Sequence, residues 1–175
     1  MTGQVLTRVA YDGGRKVEFR AAVLAAATTQ RPGAVRWTEV TVYRTQKLDE
    51  QGAHGIYVIA KVGRSILAHR RTCLNTDTRR LPVFRAAPDQ GKRMGCLECN
   101  PQLDPPAPDV VIETDRNSLR QANGQLELER VLFPRGYRLS ELIGMTGELV
   151  EQLQDSDPDF ARYWDEQVVP ALTKE

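Results

Sequence analysis

Three cysteines and two histidines supply every thiol and imidazole of this chain, and four of the five fall in one window: His69, Cys73, Cys96 and Cys99. Their spacing is H-x3-C, then 22 residues, then C-x2-C. A C-x2-C turn sets two thiolates on one side of an ion and aims backbone N–H groups at the sulfurs. A second pair delivered from the end of a strand completes a tetrahedron, with Zn–S of ~2.3 Å and Zn–N of ~2.0–2.1 Å. The four residues are therefore the expected metal ligands, and Zn2+ is the expected cofactor. His54 and Asp104 are the alternative fourth ligands if His69 is an ordinary strand-end residue; His54 lies in a loop between Gly52 and Gly55. Cys96 and Cys99 could instead be a redox pair, but no βαβ pattern surrounds them as a thioredoxin-like context requires.

The number of ligands bears on the chemistry. Four protein ligands close the coordination sphere, whereas a catalytic zinc keeps a position for water. The expected ion is structural, and no catalytic residue is assigned. Three thiolates, a neutral imidazole and Zn2+ leave one negative charge, which Arg70, Arg71, Arg79 and Arg93 are placed to offset. The turn Cys96-Leu97-Glu98-Cys99-Asn100-Pro101 resembles the knuckle of zinc ribbons and treble-clef fingers. That resemblance covers only the metal loop and implies a structural ion with nucleic-acid or protein contacts. Zinc deaminases also join a His to C-x2-C, but their pattern needs H-x-E and a Pro before the first Cys of the pair. Here Arg70-Arg71 follows His69 and Gly95 precedes Cys96, so that pattern fails twice.

Other chemistry has less material. Asp109, Glu113 and Asp115 resemble the carboxylate cluster of a metal-dependent nuclease, and Glu113 and Asp115 share a strand face by the period of two. Where that pattern expects a Lys, two residues after the second acid, the chain has Asn117. A nuclease or other hydrolase using Glu113 and Asp115 is the alternative function; solvated strand-end acids are the plainer expectation. No G-x-x-x-x-G-K-[ST], G-x-G-x-x-G or G-x-S-x-G occurs, so phosphate cradles and the nucleophile elbow lack support.

A formal net charge of +1 hides a strong segregation. Residues 61–93 carry 9 basic and 2 acidic side chains, and residues 141–175 carry 2 and 9. Such asymmetry reads as two faces or two partners. Arg64, Arg70, Arg71, Arg79, Arg80, Arg85, Lys92 and Arg93 surround the metal loop, and guanidinium forks bind phosphates bidentately. A protein partner is expected, and nucleic acid is a further candidate through residues 61–93. Phe84 is the one aromatic in that block, so stacking on single-stranded bases has little support.

The elements that must position these residues begin with an antiparallel meander. Val5, Thr7, Val9 and Tyr11 alternate on a first strand; Asp12-Gly13-Gly14 turns the chain; Val17, Phe19, Ala21 and Val23 alternate with charged neighbours on the return. Val35–Thr45 and a face of Ile56, Val58, Ala60 and Val62 are the third and fourth strands, paired across the loop Gln46–Gly55. Prolines 82, 88, 101, 105, 106 and 108 break the stretch from Arg70 to Pro108, a length that needs a clamp such as a metal. Val110-Val111-Ile112 and Gln125–Glu129 are expected to form a hairpin around Asn123-Gly124. Helical spacing follows from Leu139 to Leu153, with Gly144 and Gly147 unfavourable at its centre. A second helix is capped by Asp157 with Pro158 at its first position and carries Phe160, Tyr163, Trp164, Gln167 and Val168 on one face.

The expected fold is α+β, with an N-terminal antiparallel β-meander of about four strands, a zinc-clamped proline-rich loop, a short hairpin and two C-terminal helices. Residues 1–138 form the β domain with the zinc loop (69–99) inserted; the acidic helical segment 139–175 packs on it or is offered to a partner. At 175 residues a chain buries ~70% of its unfolded surface. No apolar run approaches the ~18 residues of a membrane span, and Ala21–Ala27 makes a poor signal-peptide core after Glu18 and Arg20. A cytoplasmic location and no small-molecule cofactor are expected.

Overall fold

The computed structural model describes residues 5–11, 15–49, 52–76, 94–96, 98–99 and 109–173. The fold is α+β, with a five-stranded antiparallel sheet, a second small sheet and helices at the C-terminus. The strands are β1 (Val5–Tyr11), β2 (Arg15–Thr28), β3 (Arg36–Asp49), β4 (Gly52–Ser65), β5 (Leu67–Arg70), β6 (Met94–Gly95), β7 (Val110–Ile112) and β8 (Arg116–Asn123). The large sheet has the order β1-β2-β3-β4-β8 and the small one β6-β5-β7. The strands β3 and β4 pair as expected, but they run to Asp49 and from Gly52, so the connection is shorter than Gln46–Gly55.

By contact the chain divides into two units. One comprises Met1–Thr29, Glu39–Lys61 and Asn117–Glu175; the other comprises Gln30–Thr38 and Val62–Arg116. In the first unit the core joins Leu24, Ala25 and Ala27 of β2, Val40 and Val42 of β3, and Tyr57 and Ile59 of β4 to Leu128, Leu149, Leu153, Phe160, Trp164 and Val168. The alternation read along β2 holds only in part: Ala21 is buried, whereas Val17 and Val23 are 38% and 55% exposed. The reason is a bulge between Val23 and Ala25, which inserts Leu24 opposite β3 and buries two consecutive residues.

Gln125–Leu132 is a helix, α1, not the second strand of a hairpin. Leu128 and Leu132 are both buried while Leu126 is half-exposed, which is helical rather than alternating burial. Gly124, at φ 99°, precedes it, and the Glu127 carboxylate reaches back to accept from the Asn123 N–H at 2.7 Å. The unfavourable glycines mark a break: α2 (Leu139–Leu142) ends before Gly144, and α3 (Met145–Ser156) begins after it. A Cβ on Gly147 would lie 1.8 Å from the Leu142 carbonyl oxygen, so only glycine lets α2 and α3 approach here. Gly147→Ala is expected to lower stability by about 1–3 kcal/mol in chemical denaturation, the usual cost of overpacking.

The helix α4 (Pro158–Tyr163) starts as its sequence demands, with the buried Asp157 carboxylate accepting from the N–H groups of Asp159 and Phe160 at 3.2 and 3.4 Å. It continues through a π-helical turn (Trp164–Val168) into α5 (Val169–Leu172). Pro170 lies just beyond that turn; having no N–H and a bulky ring, it disfavours regular α-helix there. Phe160, Trp164 and Val168 of the expected apolar face are buried in the core.

Two carboxylates tie these helices down through phenols. Glu129 accepts from the hydroxyls of both Tyr137 and Tyr163, and Asp157 accepts from Tyr57 Oη at 2.6 Å. Burial, then the bond to Glu129, pushes the Tyr163 phenol up to about 12; the same two causes raise Tyr137 further, and burial, then the bond to Asp157, raises Tyr57 further. A raised folded value means that this stabilisation is complete below the ordinary phenol value of ~10 and is lost as pH rises through about 12. In an alkaline titration followed by ultraviolet absorbance, these three rings are expected to ionise together with the loss of helical circular dichroism.

Candidate metal centre

The second unit places all four expected ligands together: atoms of His69, Cys73, Cys96 and Cys99 that can bind a metal lie within 4.8 Å of one another. Local backbone structure explains the convergence. His69 sits on β5, the middle strand of the small sheet. The parallel strand β6 pairs with it at Leu67↔Met94 and Ala68↔Gly95, and the Cys96 N–H donates to the Ala68 carbonyl at 3.3 Å. Cys96 therefore leaves the sheet beside His69. The C-x2-C turn closes as the Cys99 N–H donates to the Cys96 carbonyl at 3.0 Å. Beyond the end of β5, the Cys73 N–H donates to the Arg70 carbonyl at 2.9 Å, and this turn carries the third sulfur back toward the pair.

The sulfurs receive the bonds expected of a thiolate site. The Arg70 N–H donates to Cys99 Sγ at 3.3 Å, and Cys73 Sγ lies 3.5 Å from Cys96 Sγ. All three cysteines are free; Cys96 and Cys99 are buried and Cys73 is half-buried. Burial, together with bonds to its neighbours Cys99 and Cys96, pushes the Cys73 thiol up to about 11. At Cys96 burial also acts upward, but the N–H of Cys99, the Cys99 and Cys73 thiols and the N–H of Glu98 outweigh it and hold the group at about 7. Of these two thiols Cys96 is thus the one that gives up its proton more readily, and a divalent cation would displace the proton of Cys73 as well.

These ligands also make up much of the packing around them. The buried apolar cluster of this unit, among the described residues, is Leu67, Cys96 and Cys99, with Val35 and Cys73 half-buried against it. A core this small does little to order its loops, whereas an ion bridging four side chains would.

His69 is held from the far side as well. The antiparallel strand β7 pairs with β5 at His69↔Val111 and Ala68↔Ile112, and just past it the Glu113 N–H donates to the Leu67 carbonyl at 3.0 Å. Glu113 therefore faces His69 diagonally across the strand pair, within reach of a long side chain. His69 Nε2 lies 2.9 Å from Glu113 Oε1, both residues being fully buried. Arg36 donates from Nε to Glu113 Oε2 at 2.8 Å and from Nη2 to Oε1; Ser65 Oγ donates to Oε2 at 2.7 Å. His69 Nδ1 is buried without a hydrogen-bond partner among the described residues.

Of the two carboxylates read as solvated strand-end acids, Glu113 is instead fully buried. Glu113 is a buried acceptor for Arg36, Ser65 and His69, and Asp115 accepts from Arg64 Nη1 at 2.7 Å and from the Ser65 N–H at 3.3 Å. Of the basic block, Arg64 is thus in an ion pair, and Arg70 and Arg71 are exposed. Arg79, Arg80, Arg85, Lys92 and Arg93 lie outside the described residues, as does Asp104, the alternative ligand; the backbone of His54 belongs to β4. Sequence reasoning missed Arg36, Ser65 and the bond from Glu113 to His69. Two-residue alternation put Glu113 on a definite face, but nothing in the chain marked Arg36, 77 positions away, as its partner.

Among the described residues, no helix is long and apolar enough to cross a membrane. Comparison with protein-family models, with curated proteins and with solved structures finds no match.

Proposed function

We propose that this chain is a non-catalytic, zinc-stabilised binding or adaptor module acting in a protein or nucleoprotein complex. The observation that carries the reading is the approach of one imidazole and three thiols to within 4.8 Å of one another, in a unit whose buried apolar cluster, among the described residues, adds Leu67 to the cysteines. Soft sulfur and imidazole donors in tetrahedral number suit Zn2+ among the common divalent ions. With all four positions filled by protein, the ion holds structure and binds no substrate. Three reduced cysteines around such an ion suit the cytoplasm.

The contact surface we assign is the arginine-rich segment that the ion anchors, residues Arg64, Arg70, Arg71, Arg79, Arg80, Arg85, Lys92 and Arg93. Its support is the excess of basic side chains over residues 61–93 and the exposure of Arg70 and Arg71 next to the Cys73 turn. Two measurements test the proposal. Elemental analysis of purified protein is expected to give one zinc per chain; a metal-free protein with β5, β6 and β7 intact would refute the reading. Titration with duplex DNA and with RNA over a salt series then separates the kinds of partner. Phosphate contacts would make log affinity fall linearly with log salt; absence of any shift leaves a protein partner as the reading.

A further inference from the structure

We propose that His69 binds the metal through Nδ1, and that Glu113, seated by Arg36 and Ser65, is the positioning residue that holds the imidazole in that tautomer and sets the affinity of the centre. This rests on the metal reading above and adds to it which ring nitrogen is the ligand and which carboxylate governs it.

Glu113 Oε1 and His69 Nε2 are 2.9 Å apart, and an ionised carboxylate can only accept, so Nε2 carries the proton and donates. A neutral imidazole has one N–H, which leaves the Nδ1 lone pair free. That lone pair is buried in a residue with no solvent exposure and has no hydrogen-bond partner among the described residues. Buried polar atoms are almost always paired, and an exception calls for an unseen water or ion. Here the exception belongs to a residue whose ligating atom lies within 4.8 Å of three cysteine sulfurs. An ion accepting the Nδ1 lone pair satisfies the orphan atom and completes the set of four.

Glu113 is prevented from becoming a ligand itself. Arg36 reaches both of its oxygens, Ser65 Oγ donates to Oε2 at 2.7 Å, and the Ser65 hydroxyl in turn accepts from the Leu67 N–H at 3.2 Å. The carboxylate is locked in orientation, and its charge is balanced by Arg36. Toward His69 it accepts the hydrogen bond of Nε2–H, which fixes the ring plane and makes the opposite nitrogen a better donor. Metal-bound histidines commonly have such a carboxylate behind them, and removing it typically weakens metal binding ~10–100-fold.

Two readouts test the inference. In protein labelled with 15N at histidine and loaded with 113Cd, the expected spectrum shows metal coupling at Nδ1 of His69 and a proton on Nε2. In competition with a zinc chelator, Glu113→Ala is expected to bind ~10–100-fold more weakly than the natural chain, with Glu113→Gln, which keeps an acceptor oxygen, in between. Coupling at Nε2, or a Glu113→Ala protein with unaltered affinity, overturns the inference and leaves the metal site standing. A natural chain that takes up no metal overturns both. The spectrum needs no variant, so it decides the point even if Glu113→Ala does not fold.

Discussion

Cys99→Ser is expected to release the metal and, with it, the order of the small sheet. A serine hydroxyl is a far poorer zinc ligand than a thiolate, so the loss of affinity should exceed the ~10–100-fold that outer-shell changes cost. Structural zinc contributes about 10–16 kcal/mol of apparent binding energy in zinc-finger peptides, and among the described residues the buried cluster of this unit holds, besides the cysteines, Leu67 with Val35 half-buried against it. Amide hydrogen exchange is the measurement. Protection over Leu67–Arg70, Gly95–Cys96 and Val110–Glu113 should fall toward solvent rates in Cys99→Ser and in natural protein treated with a strong chelator, while α3 and α4 keep theirs. Unaltered protection with no bound metal would show that the sheet stands on backbone pairing alone.

The second large effect is expected at Asp157→Ala. Asp157 is fully buried, and its carboxylate accepts from Tyr57 Oη at 2.6 Å, from Arg44 Nη1 at 2.7 Å and from two N–H groups at the start of α4. Truncation removes the cap of α4, strands the Tyr57 phenol inside the fold and leaves Arg44 paired with Asp159 alone, at 3.1 Å. Breaking a buried charge pair costs about 3–5 kcal/mol; the Arg44 side chain is 32% exposed, so water recovers part of this and the lower end is expected. Denaturant unfolding followed by circular dichroism gives the value directly. Tyr57→Phe, which removes one bond from the same carboxylate, should cost only about 0.5–1.5 kcal/mol. Equal effects of the two substitutions would mean that the cap and the Arg44 pair contribute nothing.

The cluster of His69, Cys73, Cys96 and Cys99 was legible because coordination chemistry is concentrated in few residue types. With four of five soft ligands between positions 69 and 99, in a spacing that a knuckle requires, the ligand set could be named from the chain alone. The proline run strengthened this by leaving the segment without another source of order. Helix starts were legible for the same kind of reason: Asp157-Pro158 states a local preference that the fold obeys. Where preferences conflicted, the sequence misled. Leu126 and Leu128 look like an alternating strand, yet Leu128 and Leu132 are the pair that packs, because a four-residue spacing on a helix fits the available core. Gly144 and Gly147 looked like flaws in one helix; Gly144 is the break between two, and Gly147, inside α3, lets α2 come close.

By itself, the sequence determined the α+β class, the antiparallel start and the four members of the His/Cys cluster, all of which follow from periodicity or from scarce residue types read locally. Only the tertiary structure decided the surroundings of His69. Arg36, Ser65 and Glu113 come from three separate stretches, and Arg36 and Glu113 meet across 77 positions. Each alone has the ordinary profile of a polar residue in a strand or beside one. Their role exists because β5 pairs with β7 and Arg36 reaches the same buried point. A buried carboxylate is stable only where donors converge on it, and convergence in space leaves no periodic trace along a chain.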